Sequence, residues 1–82
     1  MWYIYIVRCA DTTLYTGITT DITRRVREHN GELIKGASYT KLRRPVHLVY
    51  AETTDTRSTA LKREKAIKNL SKKQKEILTK TH

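Results

Sequence analysis

Eighty-two residues carrying a formal charge of +9 and one cysteine make a single small domain and exclude an internal disulfide. No apolar stretch is long enough for a membrane span, and Met1-Trp-Tyr-Ile4 lacks the charged start of a secretory signal, so the cytoplasm is the expected compartment. Sixteen of the seventeen Lys and Arg residues lie from Arg24 onward, a one-sided positive field that favours a polyphosphate partner over a membrane surface.

Val, Ile and Tyr dominate residues 2–9 and 14–19, and the polar turn Ala10-Asp-Thr-Thr13 joins them, which predicts a β-hairpin. In the first strand Trp2, Ile4 and Ile6 share one face, while Tyr3, Tyr5 and Val7 share the other. Cys9 falls at the strand end and is expected to pack as a small hydrophobe. Asp21 stands where an N-cap belongs, and the glycine after Asn30 supplies a helix stop. Between them Ile22, Val26 and His29 share one face, Arg25 flanks it, and Arg24 and Arg27 point elsewhere. Residues 31–44 read as a basic loop with Lys35, Lys41, Arg43 and Arg44.

Pro45 opens a third strand, Val46–Glu52. A second helix is predicted from Asp55 or Ser58 to about Asn69. Ser71-Lys-Lys-Gln74 is a capping box that starts a last helix through Ile77 and Leu78. The order ββαβαα over residues 1–82 predicts one α+β domain, a three-stranded antiparallel sheet flanked by helices.

Glu64 is the position with the clearest chemical meaning. Helical spacing sets it between Ala60, Leu61 and Ile67, on the stripe expected to face the sheet. An inward carboxylate needs a compensating cation, either Arg25, a lysine, or a Mg²⁺ ion held with its waters. Arg25 edges the apolar stripe of its helix, and a planar guanidinium suits a phosphate whose charge grows in a transition state. Tyr5 and Tyr15 are strand aromatics that fit a core equally well. Gly17 shares a face with Tyr15 and leaves room for another backbone or a phosphate. His29 on an apolar stripe is ordinarily a satisfied buried histidine. His47 and His82 carry no assigned role, and three scattered histidines with one cysteine make no zinc site.

The stretches Tyr3-Ile-Tyr5, Leu14-Tyr-Thr-Gly-Ile-Thr-Thr-Asp21, Arg24-Arg25 to His29, and Ala60-Leu-Lys-Arg-Glu-Lys-Ala-Ile-Lys68 together resemble the GIY-YIG nuclease domain. They are most similar to its small stand-alone bacterial members of the YhbQ kind, over nearly the whole chain. The resemblance implies the same architecture and a catalytic set of Tyr5, Tyr15, Arg25, His29 and Glu64. In it Glu64 is the single metal ligand, for Mg²⁺ or Mn²⁺, and one of the two tyrosines is the base. His29 then hydrogen-bonds a tyrosine or the phosphate. Two departures stand out. Ile18 follows the second-motif glycine where many active members have lysine or serine, and Asn69 is too close to Glu64 to match the family's later asparagine.

The expected function is a divalent-metal-dependent endonuclease acting on DNA, including structured or damaged DNA, with RNA left open. Phosphate contacts are expected from Gly17, Lys41, Arg43, Arg44, Lys62 and Lys68. The alternative is a non-catalytic nucleic-acid-binding module with the same fold, which would not need the full set of Tyr5, Tyr15, Arg25 and Glu64. A basic partner for a ribosomal or membrane assembly fits the charge but leaves an inward Glu64 unexplained.

Overall fold

The computed structural model describes residues 1–31 and 43–80. Strands β1 (Trp2–Arg8) and β2 (Leu14–Thr19) form the hairpin, followed by helix α1 (Ile22–His29) and strand β3 (His47–Thr54). Helices α2 (Arg57–Lys68) and α3 (Lys72–Lys80) complete the order ββαβαα. The sheet is antiparallel throughout with strand order β2-β1-β3, so β1 is the central strand. Within the hairpin turn, Thr12 takes a positive φ of 69° while Asp11 accepts from the backbone and hydroxyl of Thr13.

Strand alternation splits the core in two. Ile4 and Ile6 pack with Ala60 and Ile67 under α2, joined by Trp2, Leu14, Ile18 and Leu78. Tyr5 and Val7 pack on the opposite side with Cys9 and Val46, joined by Tyr15 and by Val26 of α1. Helices therefore cover both faces, α1 on one and α2 with α3 on the other. Cys9 is a buried free thiol whose pKa burial pushes up.

Local chemistry explains the element ends. Asp21 caps α1 by accepting from the Arg24 amide at 3.0 Å. Gly31 stands just past its end with a φ of +82°, the left-handed conformation glycine tolerates. The Ser71–Gln74 box is reciprocal, at 2.9 and 3.1 Å. Arg8 reaches from β1 to Glu76 and ties α3 to the sheet.

Three boundaries and one side-chain direction differ from expectation. β3 starts at His47 because the Val46 backbone is already paired with the Asn30 side chain, at 2.6 Å through its amide and 3.1 Å through its carbonyl. It continues to Thr54 because Trp2 still pairs there. α2 is capped by Thr56, not Asp55 or Ser58, with its hydroxyl accepting from the Thr59 amide at 3.2 Å; all three are good caps, so sequence could not rank them. Leu61 is exposed, since the buried line runs through Ala60 and Ile67 and position 61 lies about 100° round the helix. Lys35, Lys41 and His82 lie outside the described residues.

Ile67 is fully buried beneath α2 on the same line as Glu64. Ile67→Ala is expected to cost about 2–5 kcal/mol of stability. A urea unfolding midpoint shifted by much less would show that α2 is not anchored through this residue.

Candidate active site

Tyr5 sits at the middle of the central strand, and its two cross-strand partners are Gly17 on β2 and Ala51 on β3. Directly opposed residues share a face, so the tyrosine ring is flanked on both sides by residues of minimal size. A Cβ built on Gly17 would lie 2.5 Å from the Tyr5 hydroxyl oxygen and 2.7 Å from Cζ. The space left by Gly17 is thus filled by Tyr5, not by a phosphate or a second backbone as its position suggested.

The Tyr5 hydroxyl meets His29 Nε2 at 2.7 Å, and both side chains are almost wholly buried. The Tyr15 ring packs edge-on against the same imidazole, centroids 5.2 Å apart. Burial pushes the Tyr5 pKa up to about 12, opposed by the Arg25 guanidinium that hydrogen-bonds the phenol, and reinforced by Tyr15 and the Glu64 carboxylate. Burial also pushes His29 down to about 4, helped by Arg25 and Arg44 and opposed by Glu28. At neutral pH the phenol is protonated and the imidazole neutral. The neutral phenol and the neutral imidazole share one hydrogen bond, and the Arg25 guanidinium lies on the same phenol oxygen.

Arg25 projects from the edge of the buried face of α1, where its Nη1 donates to Glu28 at 2.9 Å. Glu28 is buried, and its second oxygen lies 3.7 Å from Arg24 Nε. Sequence reasoning gave Glu28 no part in this site. A Glu flanked by arginines one turn back reads as a solvated helix pair, and only docking of α1 on the sheet buries it. Arg24, Arg25 and Glu28 line one side of a groove of about 360 Å³, with Trp2, Ile18, Thr19 and Thr20 along the other. Ile18 therefore gives this groove an apolar wall.

Glu64 lies on the buried line of α2 between Ala60 and Ile67, half-buried, 3.6 Å from Lys68 one turn on. Its negative charge is the smallest of the influences on the Tyr5 phenol. Among the described residues no three His, Cys, Asp or Glu side chains cluster as a protein-only metal cage. A single half-buried carboxylate is chemically compatible with a hard ion that keeps most of its waters.

The basic residues expected at the phosphates have other partners as well. Arg43 pairs with Asp11 at 3.0 Å, and Arg44 Nε donates to the His29 carbonyl at 2.7 Å. Lys62 and Lys68 are exposed on α2, and Lys41 lies outside the described residues.

A family profile described as the GIY-YIG catalytic domain matches residues 1–77. The chain belongs to the GIY-YIG family. It is 62% identical over 79 residues to the UPF0213 protein DP2720 of Desulfotalea psychrophila, covering 96% of this chain and 71% of that one. It is 55% identical over 76 residues to the UPF0213 protein HQ_3675A of Haloquadratum walsbyi, covering 93% and 83%. Among solved structures, the NMR structure of the UPF0213 protein BH0048 from Bacillus halodurans aligns with a TM-score of 0.61 and 39% identity, over 99% of this chain and 85% of that one. The NMR structure of EF2693 from E. faecalis aligns with a TM-score of 0.63 and 47% identity, over 96% and 82%. Membership of the GIY-YIG family places the chain in a nuclease superfamily. No helix among its described residues is long and apolar enough to cross a membrane.

Two predictions follow from this geometry. Gly17→Ala forces its methyl into the Tyr5 hydroxyl, which is walled in, and should cost about 1–3 kcal/mol as an overpacked contact; an unchanged thermal midpoint would show that Tyr5 has somewhere else to go. The second concerns pH. Between about 6.5 and about 4 the unfolded chain binds a proton at His29 that the folded chain refuses. Stability should therefore fall as pH drops through that window, and His29→Gln should lose this part of the slope. Urea midpoints across the pH series, with equal slopes in both proteins, would refute it.

Proposed function

We propose that this GIY-YIG domain is a divalent-metal-dependent endonuclease that hydrolyses phosphodiester bonds in DNA, with structured or damaged DNA as its substrates. The observation that carries the reading is the convergence of His29 and Arg25 on one buried phenol, Tyr5. A binding module has no need for a neutral imidazole hydrogen-bonded to a phenol beside a guanidinium and a carboxylate.

Glu64 is the residue that would hold Mg²⁺ or Mn²⁺, as the family resemblance implies. When bound, the ion would supply positive charge to the phosphate and the departing oxygen. The remaining roles belong to the chain. Arg25 clamps the scissile phosphate and stabilises the charge that builds on its oxygens, and Glu28 holds the guanidinium at the groove wall. Tyr5 is too buried to meet a water, so it serves to fix the imidazole. Tyr15 is half-buried against that imidazole and is the phenol able to accept a hydrogen bond from the attacking water and orient it. Lys62 and Lys68 offer exposed charge on α2 for the flanking phosphates.

The decisive comparison separates cleavage from affinity. Glu64→Gln keeps size but removes the charge, and metal-dependent cleavage should vanish while the fold persists. Arg25→Ala should slow cleavage at saturating DNA by a hundredfold to a thousandfold, about 3 to 4 kcal/mol. Tyr15→Phe should slow cleavage with DNA affinity nearly unchanged. The assay uses branched, flapped, single-stranded and duplex DNA with and without Mg²⁺ or Mn²⁺. A wild-type chain that binds but cuts none of them with either ion would establish the binding-module alternative.

A further inference from the structure

Arg44 belongs to no part of the mechanism above, and its charge alone would mark it as a phosphate contact. Its surroundings say otherwise. Nε donates to the His29 carbonyl at 2.7 Å, at the last residue of α1, where the backbone oxygens lack helical partners. The guanidinium then lies across Gly31, so close that a Cβ there would sit 2.6 Å from Nη1 and 2.8 Å from Cζ. Gly31 has a φ of +82°, which makes glycine suitable there twice over, for backbone conformation and for room. Between these two contacts the Asn30 side chain grips both backbone groups of Val46. Three consecutive residues, His29 to Gly31, are thus fastened to the segment Arg44–Val46 entering β3.

The constraint bears on His29 because its ring cannot choose its own direction. It is fully buried, and Nε2 must meet the Tyr5 hydroxyl across the sheet face. The groups around it are Arg25 and Glu28 from α1, Tyr5 from β1, Tyr15 from β2, and Arg44 from the lead-in to β3. Arg44 bonds its backbone from outside the helix. We propose that Arg44, seated on Gly31, is a positioning residue for His29: it fixes the last turn of α1 so that the imidazole Nε2 meets the Tyr5 hydroxyl. The role is distinct from phosphate binding and from catalysis itself, and its effect on rate rests on the nuclease reading.

Three variants separate position from charge. Arg44→Gln removes the charge and the Nε donor, Arg44→Lys keeps the charge but loses the flat donor, and Gly31→Ala keeps Arg44 but displaces its guanidinium. The direct readout is the ¹⁵N shifts of the His29 ring in a long-range ¹H–¹⁵N spectrum, which needs no substrate and no activity. The wild type should show a single neutral tautomer, and all three variants should move toward a mixture of tautomers. Single-turnover cleavage at saturating DNA should fall by roughly tenfold to a hundredfold in each, the range set by a small misplacement of a reacting group. Arg44→Lys and Gly31→Ala should keep the salt dependence of DNA affinity.

Ring shifts identical to wild type in the folded variants would overturn the proposal whether or not the protein cuts DNA. So would an Arg44→Gln protein whose only change is a salt slope of log affinity reduced by about 0.9, the mark of one lost phosphate contact. If Arg44→Gln does not fold, the lysine and Gly31→Ala variants decide the matter by the same spectra. A wild type that cuts nothing refutes the nuclease reading and leaves the ring shifts to judge Arg44.

Discussion

Tyr5 can occupy the middle of this sheet because neither cross-strand neighbour has a side chain large enough to compete with it. Gly17 on one side and Ala51 on the other leave a trough across the central strand, and the phenol ends at the imidazole of His29. Much of the site is set by that placement. α1 must dock with His29 facing inward, Tyr15 closes over the imidazole, and Arg25 comes to the phenol oxygen from the same helix. A methyl group on Gly17 would disturb all of these contacts at once.

The electrostatics follow from dryness. Burial opposes charge on both members of the Tyr5–His29 pair, so they share a hydrogen bond as neutral groups. The charges stay at the margin, where Arg25 is compensated by Glu28 and Glu64 by Lys68. A guanidinium held by a carboxylate keeps its direction and still has donors to offer an incoming phosphate. Glu28 therefore orients the cation that the proposed cleavage would use, in a groove lined also by the apolar Trp2 and Ile18.

The large positive charge is used unevenly. Several arginines are spent on structure: Arg8 on Glu76, Arg43 on Asp11, Arg63 on Glu52 and Arg44 on the end of α1. Each places a planar fork where shape and direction matter. The lysines of α2 and α3, among them Lys62, Lys65, Lys72 and Lys73, remain exposed as mobile point charges suited to a sequence-independent phosphate surface. Charge counting cannot make this distinction, because it treats the two cations alike.

Alternation along residues 2–8, the cap at Asp21, the box at Ser71–Gln74 and the helical line through Ala60, Glu64 and Ile67 were all legible in the sequence. Each depends on residues a few positions apart, and local spacing is what a sequence records. The grouping of Tyr5, Tyr15, Arg25 and His29 followed from the resemblance, not from local spacing. Thr56 as the cap of α2 was not legible, since Asp55, Thr56 and Ser58 all suit that role. The occupant of the space over Gly17, the burial of Glu28, and the use of Arg44 on the His29 carbonyl were hidden for a different reason. They arise from contacts between elements separated by about ten residues or more, or from the docking of a whole helix. The sequence by itself determined the elements, their faces and the chemical groups available; the tertiary structure alone decided which groups meet, because partners distant along the chain are chosen by packing.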